Sequence, residues 1–145
     1  MVGNSYKKVL TKNDTGETGG HQGGITIPKK NSDLLNFFPQ LDKKKFNPEE
    51  WITCVDPDGN EWDMRYVYYN GKTFTPRLST RNEYRITYMT KFFKKWNAKS
   101  QDFIVFEETK GRNRYLLSIE RNEAFNPKFP QSPKLIVLKG WSKVY

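Results

Sequence analysis

Residues 51–71, WITCVDPDGNEWDMRYVYYNG, contain two runs of strand-forming residues joined by a turn. From Trp51 to Val55 and from Trp62 to Tyr69, β-branched and aromatic residues alternate with polar ones, as in a strand with one buried face. The Asp-Pro-Asp-Gly-Asn sequence between these runs and the Asn-Gly pair after them are typical of tight turns, because Gly and Asn tolerate a positive φ. The stretch therefore predicts antiparallel neighbouring strands in a mainly β fold.

Similar segments recur at short spacing along the rest of the chain. We predict further strands over Tyr6–Thr11, Ile25–Ile27, Thr80–Tyr88, Asp102–Glu107, Arg114–Glu120 and Leu135–Val144. Two short helices are predicted, from Ser32 to Phe38 and from Thr90 to about Trp96. Many short strands with two short helices predict a closed or nearly closed β-barrel, and we expect residues 1–145 to form a single domain.

The composition limits the possible partners. A net charge of +9 and a pI near 9.6 attract polyanions, of which nucleic acid is the usual one for a soluble domain. The single cysteine, Cys54, rules out an intramolecular disulfide, and together with the single histidine it provides too few ligands for a zinc site. Because no long apolar run and no signal-peptide core occur, we expect a cytoplasmic protein with no membrane contact and no cofactor.

Residues 79–87, STRNEYRIT, combine the three side-chain types that read base edges best: arginine for guanine, asparagine for adenine and glutamate for cytosine. In a strand, the period of two places Arg81, Glu83 and Arg85 on one face. The opposite, buried face would then carry Tyr84, Ile86 and Tyr88. The outward row fits a reader of G·C pairs, and it also fits a ladder of ion pairs that adds little stability.

Residues 13–24, NDTGETGGHQGG, form a second informative segment, a glycine-rich loop whose backbone can approach a partner closely. The loop lacks the spacing of a P-loop and leads into a predicted strand rather than a helix, so phosphate binding of the P-loop type is not expected. It presents His21 and Gln22 among several lysines.

Two runs, NDTGETGGHQGGITIP at 13–28 and YYNGKTFTPRLSTRNEYRIT at 68–87, resemble the N-terminal DNA-recognition (effector-binding) domain of EcoRII-type restriction endonucleases. The resemblance implies a seven-stranded open β-barrel with two short α-helices, the DNA-binding pseudobarrel also found in plant B-three transcription-factor domains. It implies two arms that grip duplex DNA from the major groove and read CCWGG, where W is A or T. An asymmetric monomer with two unlike arms would suffice for this site.

The resemblance also implies roles for individual residues. Base reading falls to Arg81, Glu83, Arg85, His21 and Gln22, and the chemistry of asparagine adds Asn82. Contacts to the DNA backbone, or to DNA at an unassigned point, fall to Lys8, Thr26, Lys72, Arg77 and Tyr84, and the charge of Lys29 adds a phosphate contact. Two of these positions depart from the family. Thr26 stands where a tyrosine can occur, and Tyr84 replaces a basic residue. Tyr84 therefore serves either a phosphate contact or packing.

Two other functions are compatible with parts of the sequence. Pro57-Asp58 and Glu108-Thr109-Lys110 mimic the halves of a metal-nuclease signature, in which Asp58 and Glu108 would hold Mg²⁺ and Lys110 would position water. A general RNA or single-strand binder would instead stack bases on Tyr66, Tyr68, Trp96 or Trp141. Since the resembling enzymes cleave with a separate catalytic domain, we expect a non-catalytic recognition fragment, partnered by double-stranded DNA and by that domain.

Overall fold

A computed structural model describes residues 3–17, 23–122 and 140–144 of the chain. Its strands are β1 (Ser5–Val9), β2 (Ile25–Ile27), β3 (Glu49–Val55), β4 (Glu61–Tyr69), β5 (Glu83–Thr87), β6 (Phe103–Glu108), β7 (Arg114–Glu120) and β8 (Trp141–Val144). Its helices are α1 (Lys12–Thr15), α2 (Ser32–Phe37), α3 (Gly71–Phe74) and α4 (Thr90–Lys95). Over these ranges, no helix has both the length and the apolar character needed to span a membrane.

The strands form one sheet in the order β2-β5-β4-β3-β7-β6-β1-β8, and every neighbouring pair is antiparallel except β3 with β7. The sheet curls so far that its edge strands come into contact: the indole Nε1 of Trp141 in β8 donates a 3.0 Å hydrogen bond to the carbonyl of Thr26 in β2. The mainly β, open barrel is thereby confirmed. The described residues contain eight strands rather than the expected seven, since β8 pairs beside β1 as an additional edge strand.

Two local predictions around β5 are wrong. The strand predicted from Thr80 to Tyr88 is confined to β5, and Tyr88 is 58% exposed instead of buried. Its φ of 65° lies in the left-handed region, and its ring contacts the exposed ring of Trp51 at a centroid distance of 5.1 Å. The Asn-Gly pair at 70–71 does not form a tight hairpin turn: it begins α3 and a longer connection to β5.

The glycine-rich segment at 13–24 also contains more regular structure than predicted. Its first residues belong to α1, which begins with a capping box: the Thr11 hydroxyl accepts from the Asp14 backbone N–H, and the Asp14 carboxylate accepts from the Thr11 N–H. Because Thr11 caps this helix, β1 ends at Val9, before the predicted end. Of the last predicted strand, residues 135–139 lie outside the described residues, and the part from Trp141 forms β8.

Aromatic side chains fill the interior of the barrel. Phe38, which follows α2, lies at the centre, where its ring contacts those of Tyr66, Phe106, Tyr115 and Trp141 at centroid distances of 5.3, 5.5, 5.5 and 6.2 Å. Burial raises the pKa of both Tyr66 and Tyr115. Rings of this size bury large apolar areas, and Phe38 thereby connects α2 to β4, β6, β7 and β8.

Asp56 anchors the turn between β3 and β4 to α4 from a buried position. Its carboxylate accepts hydrogen bonds from the indole Nε1 of Trp62 at 2.9 Å and of Trp96 at 3.1 Å, and it lies 3.2 Å from the Nζ of Lys95. Burial alone would raise the pKa of Asp56, but these bonds and one from the Asn60 backbone N–H hold its pKa well below the ordinary 3.8.

Candidate nucleic-acid interface

A groove of about 330 Å³ lies between the two sequence segments that the resemblance assigns to DNA binding. We name residues 12–29 the first arm and residues 70–87 the second arm. The groove is lined by Lys8 of β1, by Asp14, Thr26, Ile27, Pro28 and Lys29 of the first arm, and by Arg81, Asn82 and Glu83 of the second arm. The structure therefore brings six of the predicted site residues together on one concave surface.

Arg85 is held against the first arm. In the register of β2 with β5 it lies opposite Thr26, and its Nη1 donates a 3.1 Å hydrogen bond to the Thr26 hydroxyl. The same nitrogen is 4.0 Å from a carboxylate oxygen of Glu83, which is too long for a hydrogen bond but short enough for Coulomb attraction. In the free protein, Glu83 and Arg85 thus form only a weak ion pair. The hydrogen bond that orients Arg85 comes from Thr26.

Arg81 remains available to an external partner. It is exposed, and no carboxylate within the described ranges forms an ion pair with it. Lys29 of the first arm and Lys72 and Arg77 of the second arm are also exposed. Arg81 and Lys29 line the groove, and Lys72 and Arg77 add positive charge elsewhere on the second arm; such charges attract a polyanion.

Lys8 has a different environment from the other basic residues. Only 5% of its surface is exposed, and its ammonium donates hydrogen bonds to the Asp14 carboxylate at 2.5 Å and to the Val9 carbonyl at 3.1 Å. Because Asp14 also caps α1, this buried ion pair fastens the start of the first arm to β1. In the free protein, Lys8 acts as an internal anchor at the base of the groove.

The predicted close approach of glycine backbone takes place within the chain itself. A Cβ atom added at Gly24 would lie 2.8 Å from the carbonyl oxygen of Ile86 and 3.3 Å from the Nη2 of Arg85. The neighbouring Gly23 donates its backbone N–H to the Thr90 hydroxyl at 2.7 Å. The end of the glycine-rich segment therefore packs tightly against β5 and α4. His21 and Gln22 lie outside the described residues.

Asn82 and Tyr84 make contacts inside the protein that hold the second arm in place. The Asn82 Nδ2 donates a 2.8 Å hydrogen bond to the Thr73 hydroxyl, while its Oδ1 is shielded from solvent and has no hydrogen-bond partner among the described residues. Tyr84 is 6% exposed and stacks on Tyr68 at a centroid distance of 4.3 Å. In the free protein Asn82 fastens the loop after α3, and Tyr84 serves packing, one of the two roles left open for it.

The residues of the nuclease alternative have other partners. An Asp58 carboxylate oxygen lies 3.2 Å from the Nζ of Lys95, and a Glu108 carboxylate oxygen accepts a 2.9 Å hydrogen bond from the Asn4 backbone N–H. Lys110 is exposed in the turn after β6. Across residues 3–17, 23–122 and 140–144, no group of three His, Cys, Asp or Glu side chains is placed to hold a metal ion.

The aromatic residues of the stacking alternative are not a surface platform. Tyr66, Tyr68 and Trp141 are at most 9% exposed and belong to the core, and the indole of Trp96 donates to Asp56. Tyr66, Tyr68 and Trp141 are therefore core residues, and Trp96 packs against the core. Tyr66 and Tyr68 do share a face of β4, as the period of two predicts, but it is the inner face of the barrel.

Sequence reasoning missed Asn70, which is 1% exposed at the root of the second arm. The side-chain oxygen of Asn70 accepts a 2.8 Å hydrogen bond from the Asn47 N–H, and its Nδ2 donates a 2.7 Å hydrogen bond to the Lys45 carbonyl. The Asn-Gly signal marked this position correctly as a change of chain direction. It could not reveal that the amide binds a loop distant in sequence.

Comparisons with known proteins agree with this geometry. The family described as "Restriction endonuclease EcoRII, N-terminal" matches residues 3–107. The type II restriction enzyme EcoRII of Escherichia coli is 40% identical over 85 residues, which are 57% of this chain and 20% of that enzyme. The putative auxin response factor 21 of Arabidopsis thaliana is 35% identical over 65 residues, 45% of this chain and 10% of that protein. The chain thus spans a fifth or less of these relatives.

Two solved plant structures share the fold. The Arabidopsis FUS3–DNA complex aligns with a TM-score of 0.57 and 20% identity, over 79% of this chain and 94% of that one. The Arabidopsis thaliana transcription factor LEC2–DNA complex aligns with a TM-score of 0.58 and 19% identity, over 84% and 96% of the two chains. These alignments confirm the pseudobarrel. On the family match over residues 3–107, the chain belongs to the EcoRII N-terminal domain family of restriction endonucleases.

Proposed function

We propose that this chain binds double-stranded DNA sequence-specifically and reads CCWGG through its two arms in the major groove. The observation that carries the proposal is the groove, where both family motifs meet and where the exposed Arg81 stands beside Glu83. Family membership supports the same function independently. An arginine–glutamate row fits G·C pairs, because arginine donates to guanine and glutamate accepts from cytosine.

The chemistry of the row is sufficient for discrimination. Arg81 and Arg85 can each donate two parallel hydrogen bonds to guanine O6 and N7, and Glu83 can accept one from a cytosine amino group. If each contact discriminates by about 1 to 3 kcal/mol, three contacts give roughly 3 to 9 kcal/mol, near the usual gap between specific and non-specific binding. Arg85 retains further N–H groups for a base, since its hydrogen bond to Thr26 is made by Nη1.

The proposal also assigns phosphate contacts to exposed basic residues of the two arms. Exposed Lys29, Lys72 and Arg77 would contact phosphates and fix the register without reading sequence. We further propose that the chain acts as a monomer in the cytoplasm, as the non-catalytic recognition part of a type II restriction endonuclease. Its partner there is a catalytic domain of the same enzyme, since the chain covers only 20% of EcoRII.

A titration with Glu83→Ala tests the proposal. Fluorescence anisotropy measures binding to a CCWGG duplex and to a scrambled duplex of equal length. We expect Glu83→Ala to lower the preference for CCWGG by roughly 5- to 150-fold, which corresponds to about 1 to 3 kcal/mol, while binding to the scrambled duplex is kept. Glu120→Ala removes an equal charge from an exposed position of β7 and serves as the control. Equal loss on both duplexes, or no preference in the unmodified chain, would contradict base reading.

A further inference from the structure

The loop between α2 and β3 carries three consecutive exposed lysines, Lys43, Lys44 and Lys45. We name residues 42–47 the lysine loop. Such a basic run is commonly only solvated, but here the loop is fastened to the root of the second arm. The Asn70 side chain binds the Lys45 carbonyl and the Asn47 N–H, and the Asn70 backbone N–H donates to the Asn47 Oδ1 at 3.2 Å.

A second contact holds the lysine loop against the same arm. The ring of Phe46 contacts the ring of Phe74 in α3 at a centroid distance of 5.7 Å, although both side chains are about half exposed. Within the loop, the Asp42 side chain accepts from the Lys44 N–H, and its carbonyl accepts from the Lys45 N–H, each at 3.0 Å. Hydrogen bonds within the loop and to Asn70 therefore hold the backbone of the three lysines in place.

The position of Lys43 relates the lysine loop to the groove. Its Nζ lies 5.8 Å from the ring centroid of Tyr68 and 6.0 Å from that of Tyr84. Tyr84 pairs directly with Ile27, which lines the groove, and neighbouring strands are about 4.8 Å apart. The ammonium of Lys43 therefore stands beside β5, on the face of that strand that carries Tyr84, while the proposed base-reading row lies on the other face.

We propose that the lysine loop is a third DNA-binding element, which contacts backbone phosphates of the duplex outside the CCWGG site. This inference rests on the proposed function. Duplex DNA carries one negative charge per about 1.7 Å of its axis, so a duplex that extends beyond the five base pairs offers further phosphates to a basic loop fastened to the second arm. No carboxylate in the part of the chain that the structure describes forms an ion pair with the three lysines, so none of these described carboxylates neutralises their charges.

The salt dependence of binding tests this element. In Lys43→Ala/Lys44→Ala/Lys45→Ala, the slope of log K against log salt should fall in magnitude by about 0.9 for each phosphate that the variant no longer neutralises, up to about 2.7. The decrease should be equal on CCWGG and scrambled duplexes with long flanks, and the preference between them should persist. The decrease in slope should be smaller on a hairpin whose flanks beyond CCWGG are too short to reach the lysine loop. Replacing the three lysines by arginine should restore the slope.

The control variant removes the same charge elsewhere. Lys99, Lys110 and Arg112 are exposed in the connections before β6 and after it, and their triple alanine variant should keep the slope near that of the unmodified chain. An unchanged slope in the lysine-loop variant, or equal slopes in the two variants, overturns the inference even when CCWGG preference is intact. Absence of that preference in the unmodified chain instead overturns the proposed function.

Discussion

The contact between Arg85 and Thr26 would hold Arg85, a proposed base-reading residue, in place before DNA binds. A free arginine side chain loses rotational entropy when it is fixed, which costs up to about 2 kcal/mol. The 3.1 Å hydrogen bond to Thr26 already restricts the Arg85 side chain in the free protein, so less entropy is lost when DNA binds. In this view Thr26 acts on DNA through Arg85, whereas the resemblance assigns it a direct backbone contact.

A double-mutant cycle separates these two roles of Thr26. Thr26→Val removes the hydroxyl and should weaken CCWGG binding by about 0.5 to 1.5 kcal/mol, the usual value of a hydrogen bond. If Thr26 acts through Arg85, the same change should have almost no effect in an Arg85→Ala background. Anisotropy titrations of the four variants measure the coupling. Additive losses would indicate that Thr26 contacts DNA itself.

Asp56 is the residue on which the β3–β4 turn and α4 both depend. Asp56→Asn removes the charge and keeps the shape, so we expect a loss of roughly 1.5 to 3 kcal/mol in the free energy of unfolding at pH 7. Because the folded pKa of Asp56 lies below the ordinary 3.8, its charge stabilises the fold above that pH. The stabilisation is lost as the pH falls below 3.8 toward the folded value.

Urea unfolding from pH 7 to pH 3 measures this effect. The difference between the unmodified chain and Asp56→Asn should be constant near neutrality and should shrink below about pH 4. Asp58→Asn, in the same turn but with a side chain that is 62% exposed, should cost less than about 0.5 kcal/mol. A difference that is independent of pH would indicate that packing, rather than charge, gives Asp56 its effect.

At the scale of elements, the sequence predicts strands well and predicts their ends and partners poorly. The alternation in β3, β4 and β7 places these strands because half-buried strands impose a period of two. The prediction that Tyr88 is buried is wrong because its left-handed φ rotates the ring off the buried face. The alternation of residue types does not reveal such a change of backbone conformation. Residue chemistry proposes Arg81, Glu83 and Arg85 as base readers, whereas Asn70 and Asp56 act through partners brought close only by the fold.

The closure of the barrel depends on β8, the last strand of the sheet. Trp141→Phe removes the donor to the Thr26 carbonyl and shrinks a ring that contacts Phe38, so we expect a loss of roughly 2 to 4 kcal/mol in the free energy of unfolding. Trp51→Phe makes the same change at a side chain that is 48% exposed and should cost less than about 1 kcal/mol. Similar losses in urea unfolding would show that β8 contributes little to closure.

At the scale of the whole molecule, the two arms are unlike in both sequence and structure. The first arm carries a capped helix and a tightly packed glycine segment, and the second carries the arginine–glutamate row. A two-fold dimer would present the same arm to each half of the nearly palindromic CCWGG. A monomer with two unlike arms reads the two halves with different residues and needs no second chain.

We therefore predict that one chain binds one CCWGG duplex at every protein-to-DNA ratio. Sedimentation velocity measures the mass of the complex, at a salt concentration where a scrambled duplex of the same length stays free, since a chain of charge +9 also binds DNA non-specifically. A duplex with two well-separated sites should bind two chains independently and serves as the control. A complex of two chains on a single site would contradict the monomer, and it would place equivalent arms on both halves of the sequence.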